Sequence, residues 1–456
     1  MNAVLLKELR QSVRNRYVLT AYVMFIVVLL VVAAVQTSLS INRSWENPTS
    51  VFKTGRTLFM TVHGIFAALG ILFIPLYVLR RIITERWGTD VDLMYATPMP
   101  PCALLTGKFG SALALAGLFL GAALPFLALS YFVGGIDVLS IVMSVILTLE
   151  IIAIATLGAI VIAIAPMPKI VRGMVQMGFA LGLGMCTLFW SFGSSELCSR
   201  GYMNIFANKD SCIVLVEGMM AGLSAAGLLY AAGLAGFRPT TVDRMRPFRI
   251  LATVLFAAWW VVVIIQKPWF YAENARAIWI SSLTLFAAGM LVVGMSERTA
   301  PGLYLQQRLP RSRLARALGY PFRTGQLNAV CWAVLLFVAG IALAPMTDNV
   351  HHAALWDRQH ILSLNISGYA LTILLIWHYY LRFKGMPAAA LWWVTGIVIA
   401  LATVTLGPMC VGGIEDIKYL PGYIYANEES LPLLYFWNAI ALLCLVPTFF
   451  GYPRKR

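Results

Sequence analysis

"VLSIVMSVILTLEIIAIATLGAIVIAIA", Val138 to Ala165, decides the fold. The run exceeds the ~20 residues that an α-helix needs to cross the hydrocarbon core of a bilayer. Its one charged residue is Glu150. An acid near mid-membrane costs about 2.5–3.5 kcal/mol on insertion, so Glu150 is expected to face protein or water rather than lipid. Two roles stay open for it: a cavity-lining carboxylate or proton site, or a neutral acid hydrogen-bonded between helices.

The same criterion, applied outward along the chain, yields twelve apolar runs. Before this one lie Tyr17–Gln36, Leu58–Leu79 and Phe109–Val133. After it come Met174–Phe192, Ile213–Gly236, Ile250–Gln266, Ala277–Met295, Leu327–Pro345, Ile361–Leu381, Ala388–Leu406 and Leu434–Phe450. Composition agrees: 60% of residues are apolar, 12% are charged, and the mean hydropathy is +0.81. A soluble domain carries about a quarter charged residues. The fold class expected is therefore an all-α polytopic membrane bundle of about twelve transmembrane helices. Two halves are expected: residues 1–236, with an N-terminal interfacial helix and six spans, and residues 237–456, a second bundle of six.

Loop charge tests that division. With the N-terminus inside and sides alternating, inner segments hold 25 of the 34 Lys and Arg residues. Every inner segment is basic, which is the positive-inside pattern, and both termini then lie in the cytoplasm. The net charge of +15 is thereby explained by membrane anchoring, and no nucleic-acid partner is expected. Ahead of the first span, Leu5, Leu9 and Val13 recur at i, i+4, i+8, with Lys7, Arg10 and Arg14 elsewhere around the turn. That spacing predicts an amphipathic helix lying at the membrane surface. No A-x-A cleavage site follows the first span, so it reads as a retained anchor rather than a signal peptide.

Catalytic constellations are lacking in the sequence. A P-loop reads G-x-x-x-x-G-K-[ST], because glycine N–H groups wrap the phosphates and the Lys meets their charge. The one Gly-Lys step, Gly107-Lys108, has Cys102 five positions before the glycine. Neither a catalytic residue nor a bound cofactor is expected, so any ATP and Mg²⁺ belong to a partner. The outer segment with Asp348, His351, His352, Asp357 and His360 matches no helix-based zinc motif, and no metal site is expected. His63 and His378 lie within spans and read as hydrogen-bonded packing residues. Cys198 and Cys212 share one outer loop, where an oxidising exterior would permit a disulfide between them.

The inner segment "RIITERWGTDVDLMYATPMPP", Arg81 to Pro101, interrupts this greasy chain with charges, a Gly-Thr step and prolines. Thr89 followed by Asp92 suits a helix N-cap with an acidic first turn. Val91, Met94 and Tyr95 would share a face of a helix about two turns long, terminated by Pro98, Pro100 and Pro101. Gly88 permits the sharp approach to it.

The stretch "ERWGTDVDLMYATPMPPCALLTGKF", Glu85 to Phe109, resembles the segment E-R-x-x-G-T-x-D-L-L-x-A-T-P-x-x-x-x-x-I-L-x-G-K of type-2 ABC transporter permeases. It sits between the second and third spans, as in that family. Matching positions are Glu85, Arg86, Gly88, Thr89, Asp92, Leu93, Ala96, Thr97, Pro98, Gly107 and Lys108. "NAVLLKELRQSVRNRY" is also similar to the family's opening helix, in which a Lys-Glu pair (Lys7, Glu8) precedes basic residues. The resemblance covers about the first 236 residues. It implies a coupling helix near residues 89–98, with Leu93 and Met94 on its docking surface, inserted in a groove of a cytoplasmic ABC ATPase subunit. It also implies two membrane halves per transporter, hence a homodimer or a pairing with a related permease chain. An exporter in the bacterial inner membrane follows from the same resemblance. The apolar bundle leans towards a lipid-like or amphipathic substrate.

The chain departs from the family in length, and the second six spans carry no second copy of the G-T-x-D-L…A-T-P pattern. They read as an accessory bundle in contact with membrane lipid. The alternative function is an ion-gradient-driven secondary transporter with Glu150 as its carboxylate, which would favour repeat symmetry between the halves.

Overall fold

The protein is an all-α polytopic membrane protein. A computed structural model describes residues 3–44, 50–87, 100–165, 169–238, 242–265 and 319–343, with isolated residues at 282–283, 286–287, 290 and 312. Among these, seven helices are long and apolar enough to cross a membrane: Arg16–Ser38, Thr54–Glu85, Pro101–Val133, Val138–Ile164, Arg172–Ser199, Ser211–Phe237 and Arg246–Ile265. They coincide with the first seven apolar runs of the sequence. A shorter apolar helix, Asn328–Gly340, falls on the ninth. The eighth run is described only at isolated residues, and the last three lie outside the described residues.

The chain divides into two compact units, Met1–Pro166 with Arg172–Arg238, and Met167–Val171 with Pro239–Arg456. In the first unit, α1 (Ala3–Val13) leads into α2 (Arg16–Ser44). The second span is built from α3 (Ser50–Ala68), a π-helical turn at Leu69–Phe73, and α4 (Ile74–Trp87). Then come α5 (Pro101–Val133), α6 (Val138–Ile164), α7 (Lys169–Arg200), the short α8 (Tyr202–Ala207) and α9 (Lys209–Phe237).

Two of these helices reach further than hydropathy alone indicates. α4 continues through Arg80, Arg81 and Glu85 to Trp87, so the first third of the polar insert is the charged end of a span. α5 begins at Pro101 rather than near Phe109, because Pro at the first helical position loses only an N–H that would be unsatisfied anyway. Lys108 is thereby lifted into a helix.

At the opposite end of α5, Gly134 and Gly135 take φ of 92° and 90°, the left-handed region open to glycine. Asp137 then caps α6. Its Oδ2 accepts from the Ser140 N–H at 3.2 Å, and its Oδ1 accepts from the Ser140 hydroxyl at 2.6 Å.

Within a bilayer, lipid tails are as apolar as leucine, so close van der Waals packing and hydrogen bonds hold helices together. Phe119 of α5 illustrates the packing: it meets Tyr22 and Phe25 of α2 edge-on at 5.6 and 5.4 Å, and Phe73 at 6.2 Å. Glycines allow other close approaches. A Cβ on Gly70 would lie 2.3 Å from Ile152 Cδ1, and one on Gly236 would lie 2.6 Å from Ile164 Cγ2. Met177, Leu181, Phe189 and Phe192 of α7 remain exposed, as suits a lipid-facing surface.

The second unit, by itself, has α10 (Arg246–Ile265) and α11 (Gln326–Leu343) joined through buried polar groups. Arg249, only 1% exposed, donates to the carbonyl oxygens of Pro321, at 2.8 Å, and Arg323, and lies 5.9 Å from the Trp332 ring centre. Trp332 Nε1 donates to Thr253 Oγ1 at 2.9 Å. The main-chain N–H and the hydroxyl of Thr324 both donate to Asp243 Oδ1, the former at 2.9 Å.

Candidate functional site: a buried charge cluster at the foot of residues 88–100

α1 lies across the ends of α4 and α5, and beside its Leu5–Leu9–Val13 stripe it turns a further, mixed face towards the protein. The face turned to the protein is Val4, Glu8 and Ser12. Leu5 and Leu9 are half-buried, while Leu6 and Val13 are exposed. The reason is local. Gly107 leaves α5 without a side chain where α1 crosses it: a Cβ there would meet Val4 Cβ and Cγ1, each at 2.7 Å. Gly110, one turn on, meets Leu5. This contact sets the crossing and aims Glu8 at Lys108.

Four charges then meet. Lys108 Nζ donates to Glu8 Oε1 at 3.0 Å and also to Glu85 Oε2. Arg81 Nη2 pairs with the other Glu8 oxygen at 2.7 Å, and Arg81 Nε with Glu85 Oε1 at 3.3 Å. Two acids meet two bases, so the cluster is electroneutral. Glu8 and Lys108 are its deep members, their side chains 6% and 5% exposed, while Glu85 is about a third exposed.

Neutral groups complete the hydrogen bonding. Arg81 Nη1 donates to Ser12 Oγ at 2.9 Å and to the Tyr77 hydroxyl oxygen at 3.2 Å. Arg81 Nη2 also donates to Gln11 Oε1. Asn15 anchors the α1–α2 turn, accepting from the Tyr17 N–H at 3.0 Å while its own amide donates to the Tyr77 hydroxyl at 3.5 Å. A cavity of about 10 Å³ beside Glu8, Ser12, Tyr77, Arg81, Lys108 and Ser111 has room for about one water molecule.

Glu85 and Lys108 thus close the base of the segment between α4 and α5. Gly88, Thr89, Asp92, Leu93, Met94, Ala96, Thr97 and Pro98 lie outside the described residues. Arg86 lies in α4, and only its backbone is described. Sequence reasoning did not find the roles of Arg81, Tyr77 and Ser12. A signal existed: Tyr77, Arg81 and Glu85 recur every four residues, which stacks them on one helix face.

A second polar cluster lies inside the bundle. His63, 1% exposed, stacks on Phe59 and places Nε2 at 2.9 Å from Thr148 Oγ1 and 3.4 Å from the Ser144 carbonyl oxygen. Trp190 Nε1 donates to the same Thr148 oxygen at 2.9 Å. His63 is thus the hydrogen-bonded packing residue expected. Thr148→Val should leave the Trp190 ring N–H without its acceptor and His63 Nε2 with only its longer contact to the Ser144 carbonyl oxygen, destabilising the bundle by about 1–2 kcal/mol. Thr61→Val, at a hydroxyl that bonds only its own helix on an exposed face, should be near neutral. Unfolding of both variants in detergent, followed by circular dichroism, checks the contrast.

Nearby, Tyr202 is fully buried, and burial pushes its phenol up to about 12. Cys198 and Cys212 are free thiols, so the ring considered between them is not closed. Cys198 Sγ turns inward instead, 3.3 Å from Ser144 Oγ.

Glu150 is half-buried on α6, beside α9. Its carboxylate reaches the backbone of Leu223 on α9, where Gly222 makes room: a Cβ there would lie 2.2 Å from Oε1. Oε1 itself is buried and makes no hydrogen bond of good geometry. No group of metal-ligating side chains occurs among the described residues. The Asp348–His360 segment and His378 lie outside them. Comparison with protein-family models, with curated proteins and with solved structures finds no match.

Proposed function

We propose that the chain is the membrane-spanning subunit of an ATP-binding cassette transporter of the type-2 permease kind, driven by a separate cytoplasmic ATPase. The observation that carries the proposal is the junction of Glu85 and Lys108. Both are motif positions in the resemblance, they stand at opposite ends of the segment, and they are bonded to one another and, through Lys108, to Glu8. A loop tied at its base to α1, α4 and α5 passes a displacement of its tip to two spans and a surface helix together, whereas a loop free at its base absorbs the displacement. Such a base is what a coupling helix requires. ATP and Mg²⁺ reside on the partner, and the role of this chain is to receive the movement.

The assembly that follows is a homodimer or a pair with a related permease over two ATPase subunits, in the bacterial inner membrane. Export of a lipid-like or amphipathic substrate fits the apolar bundle. The test is co-purification with a soluble P-loop protein encoded beside the chain. Leu93→Glu with Met94→Glu should abolish co-purification while the melting temperature of the membrane subunit stays unchanged. Retention of the ATPase by that double variant overturns the coupling assignment.

Glu150 supports a second reading, a secondary transporter driven by an ion gradient, because its Oε1 is buried with no well-formed hydrogen bond between two spans. Transport in vesicles separates the two: a proton-driven carrier loses its pH dependence in Glu150→Gln and needs no ATP.

A further inference from the structure

We infer that α1 is a recognition surface for anionic phospholipid headgroups, held at the level of the bilayer surface by the charge cluster beneath it. The inference rests on membrane embedding alone and not on the transporter reading.

α1 has three faces rather than the two of a simple amphipathic helix. Val4, Glu8 and Ser12 are buried in the protein. One flank is apolar and open: Leu6 is 37% exposed and Val13 64%, with Leu5 and Leu9 half-buried between them and the protein. The other flank carries Lys7 and Arg10, and Arg14 continues it in the turn directly after Val13, its N–H bonded to the Arg10 carbonyl oxygen at 3.3 Å; all three are exposed. At a spacing of 100° per residue these three fall within one narrow sector of the helix.

The depth of α1 is set by the structure. Its last residue, Val13, is three positions from Arg16, where α2 begins, and the turn is fixed by Asn15. Tyr17, 78% exposed, stands at the interfacial position favoured by aromatic side chains, and the exposed Leu19, Val23 and Val27 follow it along the apolar span. A helix bolted beside the start of a lipid-facing span places its apolar flank against acyl chains and its basic flank among headgroups.

The protein-facing side explains why that basic flank stays outside. Glu8 is the one acid in α1, and both of its oxygens are taken by Arg81 and Lys108. It is therefore already matched and does not draw Lys7, Arg10 or Arg14 inward. The open basic charges complement an anionic headgroup. Each Lys or Arg near an anionic surface strengthens attachment by about fivefold, and the effect is screened by salt within a Debye length.

The test uses the full chain in nanodiscs of phosphatidylcholine containing a trace of photoactivatable phosphatidylglycerol or photoactivatable phosphatidylcholine. Crosslinks are mapped to the peptide covering residues 3–16. The phosphatidylglycerol probe should label that peptide several-fold more than the phosphatidylcholine probe. Raising ionic strength to 1 M should collapse the excess, and so should Lys7→Gln with Arg10→Gln and Arg14→Gln, whose positions are exposed and outside the charge cluster. Equal labelling by the two probes in the unaltered chain overturns the inference, and that arm stands whether or not the triple variant folds. An excess that survives in the folded triple variant overturns it as well, by placing the anionic site on other residues. Added inorganic phosphate at millimolar concentration should leave the excess in place, since a free anion lacks the acyl chains that engage Leu6 and Val13; abolition of the excess by phosphate counts against a bilayer-bound ligand.

Discussion

Lys108→Met should be among the most damaging single substitutions in the protein, costing about 3–5 kcal/mol. Methionine keeps the length and apolar stem of lysine but removes one of the two cations, Lys108 and Arg81, that Glu8 and Glu85 share. Breaking a buried ion pair from one side is expensive because the remaining charge stays buried without compensation. Glu8, 6% exposed, carries most of the loss, since Arg81 alone then faces both acids. Glu85 is partly solvated, and water screens its share. A double-mutant cycle isolates the orphaned charge. Adding Glu8→Gln to Lys108→Met removes the orphaned charge and should recover a measurable part of the stability. Equilibrium unfolding in mixed micelles reads both steps, and amide exchange over residues 3–13 should rise in Lys108→Met as α1 detaches. A variant within about 0.5 kcal/mol of the unaltered protein would mean that the cluster is a surface network.

Gly55→Ala should cost about 3 kcal/mol, at the upper end for overpacking. A Cβ at Gly55 would lie 1.9 Å from the Gly134 carbonyl oxygen and 2.8 Å from that of Ser130. The obstruction is backbone at the tight turn that ends α5, so no rotamer change relieves it. Gly64→Ala in the same helix supplies the control, because nothing lies within 4 Å of a Cβ there. That substitution should be neutral, or stabilising by up to about 1 kcal/mol through reduced backbone entropy of the unfolded chain. Thermal unfolding of the pair in one detergent measures the contrast, and equal melting temperatures would refute the close α3–α5 approach.

The charge cluster shows why one part of the site was legible and another was not. Glu85, Gly107 and Lys108 are visible as motif residues, and Tyr77, Arg81 and Glu85 as one helix face, since both facts depend only on order along the chain. The partner of Lys108 is not visible in this way. Glu8 lies one hundred residues away, in a helix whose apolar spacing points to the membrane surface and names no protein contact. Only the bare surface at Gly107 turns α1 so that Glu8 points inward. Glu150 divides similarly: insertion cost requires that it avoid lipid, while its place against Gly222 depends on how α6 and α9 pack.

What the sequence by itself determines here is the solvent of each segment. Runs of about 20 apolar residues leave only the bilayer as a tolerable environment, because every backbone polar group there must be satisfied within its own helix. The first seven spans therefore follow from hydropathy with no knowledge of neighbours. What the tertiary structure decides is which side chains meet. Between helices in a bilayer there is no hydrophobic gradient to read from composition, so contacts are chosen by shape and by the pairing of buried charge. Val4 fits over Gly107 and Ile152 over Gly70 by shape, and Glu8 reaches Lys108 and Arg81 because that approach puts each buried charge beside its opposite.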